Sequence, residues 1–206
     1  MTLRRIGTLI AATLVAAVGA AVTVAPAQAA TVWRMQAVPP GPNVNLWMDA
    51  GGTAPGTFPM LGRSLGSGVH SPTQWWSFER VGGTVQFPWY QLVNTGSGQC
   101  IFYGGVTGEE GSAPHPAETR GCFRDFGLDW FQFRTLTNQP VNPGLAAGGA
   151  GTPRVYRIHW KGQGDEPDGS HCLVVPNSFF QSGARLAVQS CSQSPNQQWR
   201  LYRSSR

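Results

Sequence analysis

Short runs of apolar and aromatic residues are separated by turns along most of the chain. In the runs Tyr90-Gln91-Leu92 and Tyr156-Arg157-Ile158-His159, apolar and polar residues alternate with the period of a half-buried β-strand. The 27 glycines and 16 prolines are spread throughout, which argues against long helices. The pattern predicts an all-β chain with strands at residues 32–35, 89–93, 100–103, 155–160, 171–175, 185–188 and 199–202.

One aromatic motif occurs three times. Its copies are Gln74-Trp75-Trp76, Asp129-Trp130-Phe131 and Gln197-Gln198-Trp199, and the final aromatic residues are 55 and 68 positions apart. A recurring period of this size indicates supersecondary units that bury their apolar faces only against one another. We therefore expect three pseudo-repeats, at about residues 31–82, 83–138 and 154–206.

The repeated residues have a structural interpretation. Threefold repetition would place Trp76, Phe131 and Trp199 at equivalent depths in a shared core, where large aromatic side chains dominate the packing energy. The polar residues of the motif, Gln74, Asp129 and Gln197, are expected to form hydrogen bonds to backbone groups in nearby turns.

Four cysteines lie in the second and third units. They allow three pairings, of which the repeats favour Cys100–Cys122 and Cys172–Cys191, each closing a loop of about 20 residues within one unit. The first unit has no cysteine, and Asn45-Leu46-Trp47 takes the place of the cysteine-led strand there. Since no Cys-x-x-Cys spacing occurs and the four histidines are scattered, no metal site or other cofactor is predicted.

The N-terminal residues read as an export signal. Arg4 and Arg5 precede an apolar stretch at residues 6–24, and Ala27-Gln28-Ala29 is typical of a cleavage site. We expect residues 1–29 to be a signal peptide, residues 30–206 to form one domain, and the protein to be secreted to the extracellular space, where disulfides are stable. A membrane anchor is the alternative interpretation of the same stretch.

The charge pattern does not point to a polyanionic partner. The formal net charge is +5, or +3 without Arg4 and Arg5, and the positive residues form no run. We expect no nucleic-acid binding, no membrane span in the mature chain, and a monomer. A surface loop is expected at residues 138–153, which are rich in Gly, Pro and Ala.

The sequence contains no motif typical of an enzyme. Neither Gly-x-Ser-x-Gly nor His-Glu-x-x-His occurs. Glu109 and Glu110 are adjacent, so in a strand they would face opposite ways rather than flank one glycosidic bond. Asp165, Glu166 and Asp168 lack the ligand spacing of a calcium loop. We interpret both groups as solvated loop residues and expect a protein that is not an enzyme.

Cysteine pairs ahead of a Gln-x-Trp motif resemble the ricin-type β-trefoil lectin domain. The resemblance covers nearly all of residues 30–206 and is strongest at residues 171–201, with a second similar turn at residues 94–99 leading into Cys100. It implies a β-trefoil of three units and a carbohydrate-binding, lectin-like function. The function is an expectation by analogy, because one fold supports many functions.

Members of this family typically bind sugar through an Asp two residues after the first cysteine, an aromatic residue, and an Asn before the Gln. Here Phe102 and Val174 occupy the Asp position, and in the first unit Trp47 is aligned with it, so that Asp49 comes two residues late. The residues before the Gln position are Thr73, Leu128 and Asn196. We therefore expect degenerate sugar sites.

Two sets of residues remain candidates for glycan binding. The third unit keeps three amides, which are the candidate carbohydrate-binding residues Asn196, Gln197 and Gln189. A displaced site on loop aromatics is the other possibility, with candidates Trp47, Trp89, Tyr103, Phe179 and Phe180.

Two further functions use the same fold without a sugar. A trefoil with decayed sugar sites serves for protein recognition in subunits A and C of cytolethal distending toxins, and the cluster Phe87-Pro88-Trp89-Tyr90 would be the corresponding aromatic patch. A protease inhibitor would need a rigid exposed loop, and residues 139–153 are too rich in glycine for that.

Overall fold

The computed structural model describes residues 31–39, 45–65, 70–104, 114–123, 129–146, 154–162 and 169–205. The predicted signal peptide, Glu109, Glu110 and residues 163–168 lie outside these ranges. Within them, no helix is long and apolar enough to cross a membrane. The chain is nearly all β, with strands β1 (Thr31–Ala37), β2 (Leu46–Asp49), β3 (Met60–Arg63), β4 (Trp76–Gly83), β5 (Pro88–Asn94), β6 (Cys100–Tyr103), β7 (His115–Arg120), β8 (Phe131–Arg134), β9 (Val155–Trp160), β10 (His171–Val174), β11 (Ala187–Ser190) and β12 (Trp199–Ser205), and a short helix α1 (Pro143–Ala146).

Six of the strands close into a barrel. Antiparallel pairing runs from β1 to β4, β5, β8, β9 and β12, and β12 returns to β1. The other six strands form three hairpins, β2–β3, β6–β7 and β10–β11, each joined to the first strand of its own unit. A closed barrel carrying three equivalent hairpins is a β-trefoil, so the predicted fold class is confirmed.

The strand pairing defines which residues of the three units are equivalent. Residue 36 pairs with Trp47, residue 93 with Cys100 and residue 159 with Cys172, in each case between the first and second strands of a unit. Trp47 therefore occupies the position of the first cysteine. The alignment from sequence, which put Asn45 there, is wrong by two residues, because the first unit has no cysteine to mark the register.

The repeated aromatic residues meet in the core of the barrel. Trp76, Phe131 and Trp199 are all fully buried. The indole Nε1 of Trp76 donates to the carbonyl oxygen of Met48 at 3.2 Å, and that of Trp199 donates to the carbonyl oxygen of Leu173 at 3.2 Å. Since Met48 and Leu173 each follow the position of the first cysteine, these hydrogen bonds support the corrected register independently.

The two disulfides have the predicted pairing, Cys100–Cys122 and Cys172–Cys191. In the first unit an aromatic cluster stands in the corresponding place. The guanidinium of Arg34 lies 4.7 Å from the ring centre of Trp47 and 4.9 Å from that of Trp75, and the ring of His70 meets Trp47 edge-on. Cation–π and aromatic contacts thus stabilise the first unit, which has no disulfide.

Candidate functional site

The hairpin β2–β3 carries a carboxylate at the position where the resembled family binds sugar. Asp49 lies two residues after Trp47, and Phe102 and Val174 hold the equivalent positions of the other units. Asp49 is half-buried at the end of β2. Its Oδ1 accepts a hydrogen bond from the backbone N–H of Gly51 at 2.9 Å, and no described residue donates to its Oδ2.

The turn after β2 depends on a glycine. Gly51 has a φ of +75°, a conformation that residues with a Cβ rarely adopt. A Cβ at this position would also collide with the carbonyl oxygen of Phe58. The turn places the Gly51 N–H against one carboxylate oxygen of Asp49, and the other oxygen has no donor among the described residues.

Gly62 allows the side chain of Asp49 to pack closely against β3. It lies in β3 opposite Trp47, where Arg120 and Gln189 stand in the other two units. A Cβ added at Gly62 would lie 2.8 Å from Asp49 Oδ2 and 2.7 Å from Gln74 Nε2. The carboxylate and the amide therefore both pack against Gly62, and a side chain at position 62 would displace one or both of them.

A backbone hydrogen bond holds the turn that carries Gln74 beside the end of β2. The N–H of Ala50 donates to the carbonyl oxygen of Thr73 at 2.9 Å, which ties the end of β2 to the 3₁₀ turn Pro72–Gln74. Gln74 is buried, and its Nε2 donates to the carbonyl oxygen of Arg63 at 3.0 Å. An amide nitrogen carries two hydrogens, so one remains after this bond.

The residues equivalent to Gln74 also bond to nearby backbone. Gln197 is buried, donates from Nε2 to the carbonyl oxygen of Ser190 at 2.9 Å, and accepts at Oε1 from the N–H of Ser192 at 2.6 Å. Asp129 accepts at Oδ2 from the N–H of Phe123 and from the side chain of Gln91. Burial raises the pKa of Asp129, and these hydrogen bonds oppose that rise.

Two of the candidate sugar residues of the third unit, Asn196 and Gln197, form hydrogen bonds within the fold, and Asn196 Oδ1 has no partner among the described residues. Asn196 is half-buried and donates from Nδ2 to the carbonyl oxygen of Val175 at 2.9 Å. Both polar ends of Gln197 are engaged, as described above. Gln189 is half-buried in β11, where it pairs with Cys172 of β10. Val174, at the carboxylate position, is fully buried and apolar.

The hairpin β6–β7 of the second unit is occupied by its own side chains. The guanidinium of Arg120 lies 4.9 Å from the ring centre of Phe102 and pairs with Glu118 at 2.6 Å. Arg120 therefore covers the ring that stands in place of a carboxylate. Of the three hairpins, that of the first unit alone has an acidic side chain at the equivalent position.

Most of the loop aromatics considered from sequence are not surface residues. Trp47 and Tyr103 are buried, and Trp89 and Phe180 are half-buried. Phe179 is 57% exposed. In the cluster at residues 87–90, Phe87 is 48% exposed, whereas Pro88 and Tyr90 are buried. Phe87 and Phe179 are thus the most exposed of these candidates.

A separate cavity of about 370 Å³ lies against the barrel strands β1, β4, β5 and β12. Its walls include the stacked rings of Trp33 and Phe78, and residues 142–144 of the predicted surface loop. The hydroxyl of Tyr90 donates to Asn142 Oδ1 at 2.9 Å, which fastens the loop to the barrel. Burial raises the pKa of Tyr90 to about 12.

Among the described residues, one group of side chains has the composition of a metal site. It consists of His159, Cys172 and Cys191. The two sulfurs are joined to each other, so this group has no free thiolate. Burial lowers the pKa of His159 to about 4, which keeps the imidazole neutral at physiological pH.

No family model matches the chain, and no curated protein matches it in sequence. Solved structures do match its fold. The Rhizoctonia solani agglutinin has a TM-score of 0.56 at 15% identity, with 85% of this chain and 96% of that chain covered. The C-half of the earthworm R-type lectin, solved in complex with GalNAc, has a TM-score of 0.53 at 11% identity, covering 84% and 99%. These are β-trefoil lectins.

A toxin has a similar fold. Cytolethal distending toxin from Actinobacillus actinomycetemcomitans matches with a TM-score of 0.51 at 15% identity, covering 82% of this chain and 88% of that chain. At these identities the likeness establishes the β-trefoil fold and does not carry a ligand from one protein to another.

Asp49 is the candidate residue that sequence reasoning placed in the wrong position. The signal that would have found it is the two-residue shift that aligns Trp47 with the first cysteine. The hydrophobic pattern of residues 45–49 did not distinguish the two alignments.

Proposed function

We propose that the protein is a secreted, monomeric, non-catalytic carbohydrate-binding protein, and that it binds sugar at the β2–β3 hairpin of its first unit. The observation that carries the proposal is the position of Asp49, which the strand register places where the resembled lectin family has its sugar-binding Asp. The fold shared with R-type lectins supports the same ligand class.

The chemistry of the hairpin suits a sugar. A carboxylate oxygen without a partner among the described residues accepts hydrogen bonds from sugar hydroxyls, and hydrogen bonds to a charged acceptor are stronger than neutral ones. Gln74 is buried next to Gly62 and holds the hairpin through its hydrogen bond to the carbonyl oxygen of Arg63. Asp49 is half-buried at the end of β2, so its carboxylate is within reach of a sugar hydroxyl.

The third unit stays a second candidate site. Asn196 and Gln189 are half-buried and carry amide groups of the kind that bind hydroxyls. We place this site behind the first because it has no carboxylate and because the polar atoms of Gln197 already bond to backbone groups.

A glycan array comparing four forms of the oxidised protein tests the proposal. The wild type is screened beside Asp49→Asn, Asn196→Ala and the control Glu118→Gln. Asp49→Asn keeps the side-chain shape but removes the charge, so we expect binding to weaken by about tenfold or more, since a charged hydrogen bond contributes about 1.5–3 kcal/mol. Glu118→Gln should bind as the wild type does.

Each other outcome has a defined meaning. Loss of binding in Asn196→Ala alone would move the site to the third unit. Binding unchanged in all variants would place it away from both hairpins. A wild type that binds no glycan, with its fold verified by circular dichroism, would contradict the carbohydrate proposal.

The extracellular location rests on the N-terminal signal and on two disulfides, which persist in oxidising compartments. Amino-terminal sequencing of the exported protein tests it. A start near residue 30 is expected, and retention of the first 29 residues would contradict signal cleavage.

Protein recognition is the second candidate function. It is favoured by two exposed apolar residues in the β4–β5 connection, Val85 at 59% and Phe87 at 48% exposure. Binding to cells that survives enzymatic removal of glycans, and that Phe87→Ser abolishes, would support this function over the first. Binding that disappears with the glycans would support the lectin.

A further inference from the structure

A buried histidine touches the disulfide of the third unit. His159 is 1% exposed, and its Nδ1 lies 3.3 Å from Cys191 Sγ and 2.6 Å from the carbonyl oxygen of Gly169. Its Nε2 is buried and has no hydrogen-bond partner among the described residues. Nδ1 is thus the ring nitrogen that faces a cysteine sulfur.

The trefoil does not require a histidine there. The equivalent positions hold Gln36 in the first unit and Val93 in the second, where the same pairing places Val93 beside Cys100. The Cys100–Cys122 disulfide therefore forms beside an apolar residue. The imidazole is a feature of the third unit alone.

The three side chains have the donors and the spacing of a soft-metal site. One ligand atom from each of His159, Cys172 and Cys191 lies within 4.8 Å of the others. Two thiolates and one imidazole are ligands typical of Zn²⁺. Three protein ligands leave a fourth tetrahedral position for water, and half-buried Cys191 provides an approach from solvent.

We propose that in the reduced protein His159, Cys172 and Cys191 bind one Zn²⁺ ion, so that the third unit contains a redox-gated metal site. In the oxidised protein the sulfurs bond to each other and the site is closed. A metal bound in the reduced form would cross-link β9, β10 and the segment after β11, which the disulfide links only in part. The proposal does not depend on the proposed carbohydrate function.

The chemistry balances with a dithiol as reductant. Thiol–disulfide exchange transfers two electrons and two protons from the dithiol, which becomes a cyclic disulfide, and breaks the Cys172–Cys191 bond to give two thiols. Binding of Zn²⁺ then releases both thiol protons, because thiolates are the metal ligands. The imidazole binds through Nδ1 as the neutral group: the proton that Nδ1 donates to the carbonyl oxygen of Gly169 moves to Nε2, and the bond from Nδ1 to the metal replaces that hydrogen bond.

Cobalt binding to the full mature chain tests the proposal. The chain is reduced with a dithiol, freed of reductant without oxygen, and titrated with Co²⁺, whose thiolate charge-transfer absorption reports sulfur ligation; Zn²⁺ is then added as competitor. The variants are His159→Gln, which removes the proposed ligand, and His171→Gln, a matched control beside Cys172 that leaves the proposed ligand set intact.

We expect one Co²⁺ per reduced chain, displaced by Zn²⁺, and no thiolate absorption in the oxidised chain. His159→Gln should weaken Co²⁺ binding by at least about tenfold, since even the outer partners of metal ligands contribute about 10–100-fold. His171→Gln should bind as the wild type does.

Four results would overturn the proposal. The first two are absence of thiolate absorption and equal Co²⁺ affinity in the wild type and His159→Gln. The third is loss of Co²⁺ binding when Cys100 and Cys122 are both replaced by Ala in a chain that still folds. The fourth is a near-ultraviolet dichroism of the tryptophans that disappears on reduction and does not return when Zn²⁺ is added. Restoration of that signal by Zn²⁺ in the wild type, but not in His159→Gln, would support it.

Discussion

Replacing Gly62 by Ala tests whether Asp49 and Gln74 both pack against this residue. The backbone of Gly62 does not have the positive φ that would itself penalise a Cβ. The new Cβ would lie 2.7 Å from Gln74 Nε2 and 2.8 Å from Asp49 Oδ2, distances that real Cβ atoms essentially never show. The cost of the substitution therefore comes from these two contacts.

The magnitude follows from what must move. Gln74 is buried, and its Nε2 donates to the carbonyl oxygen of Arg63, so displacing the amide leaves a buried donor and a carbonyl without their bond. Leaving a buried polar group unpaired costs about 1–3 kcal/mol. We expect the free energy of unfolding to fall by about that amount, and glycan affinity to fall with it because Asp49 Oδ2 is covered.

Urea denaturation measures the loss of stability. Titration with a glycan identified on the array measures the loss of glycan affinity. Gly121→Ala is the matched control, because a Cβ at that exposed glycine meets nothing within 4 Å and its φ is not positive. Gly62→Ala with wild-type stability and wild-type glycan affinity would refute the reasoning. Lost affinity with unchanged stability would show that Gln74 adjusts while the carboxylate is still blocked.

Three further predictions concern packing and charge. Trp199→Phe removes the indole donor to the carbonyl oxygen of Leu173 and should lower the free energy of unfolding by about 1–3 kcal/mol in urea denaturation, and a change under about 0.5 kcal/mol would contradict it. In the oxidised protein the pKa of His159 is lowered to about 4 from 6.5, so between these pH values His159 is protonated in the unfolded chain and neutral in the folded chain. The free energy of unfolding should therefore fall by about 3 kcal/mol as the pH drops from 7 through 4, and it should lose this pH dependence in His159→Gln. Arg34→Leu should destabilise by about 1–2 kcal/mol by removing the cation from between Trp47 and Trp75, whereas Arg34→Lys should retain part of that energy; equal melting temperatures for the wild type and both variants would disprove the role of the cation.

The sequence pattern alone predicted the strands whose residues alternate in polarity or begin with cysteine. Strands β5, β6 and β9 alternate or open with cysteine, and the structure places them within a residue of the predicted bounds. The strand β7, His115–Arg120, has no such signal, because its residues His-Pro-Ala-Glu-Thr-Arg are mostly polar and include a proline. Such a strand forms because its partner β6 and the neighbouring hairpin strand β11 pair with it. Tertiary pairing overrides weak β-propensity here.

Assigning Asp49 to the candidate site required the register of the strands, which is a property of strand pairs and not of one strand. The residues around Asp49 contain two possible alignments, with Asn45 or with Trp47 at the position of the first cysteine. Only the pairing of Gln36 with Trp47, and the hydrogen bond from Trp76 to Met48, decides between them. A shift of two residues keeps every side chain on the same face of the strand, so the hydrophobic pattern was equally satisfied by either choice.

The three units separate the requirements of the fold from those of a binding site. A buried aromatic residue and a polar residue bonded to turn backbone are present in all three units, and these build the barrel. The position two residues after the first cysteine holds Asp49, Phe102 or Val174, so the trefoil tolerates a carboxylate, a ring or a buried aliphatic group there. Folding does not demand an acid at that position, and the half-buried carboxylate of the first unit, one oxygen of which accepts from Gly51, is therefore the basis of the proposed sugar site. This contrast among equivalent positions in one chain is why Asp49 is the first residue to substitute.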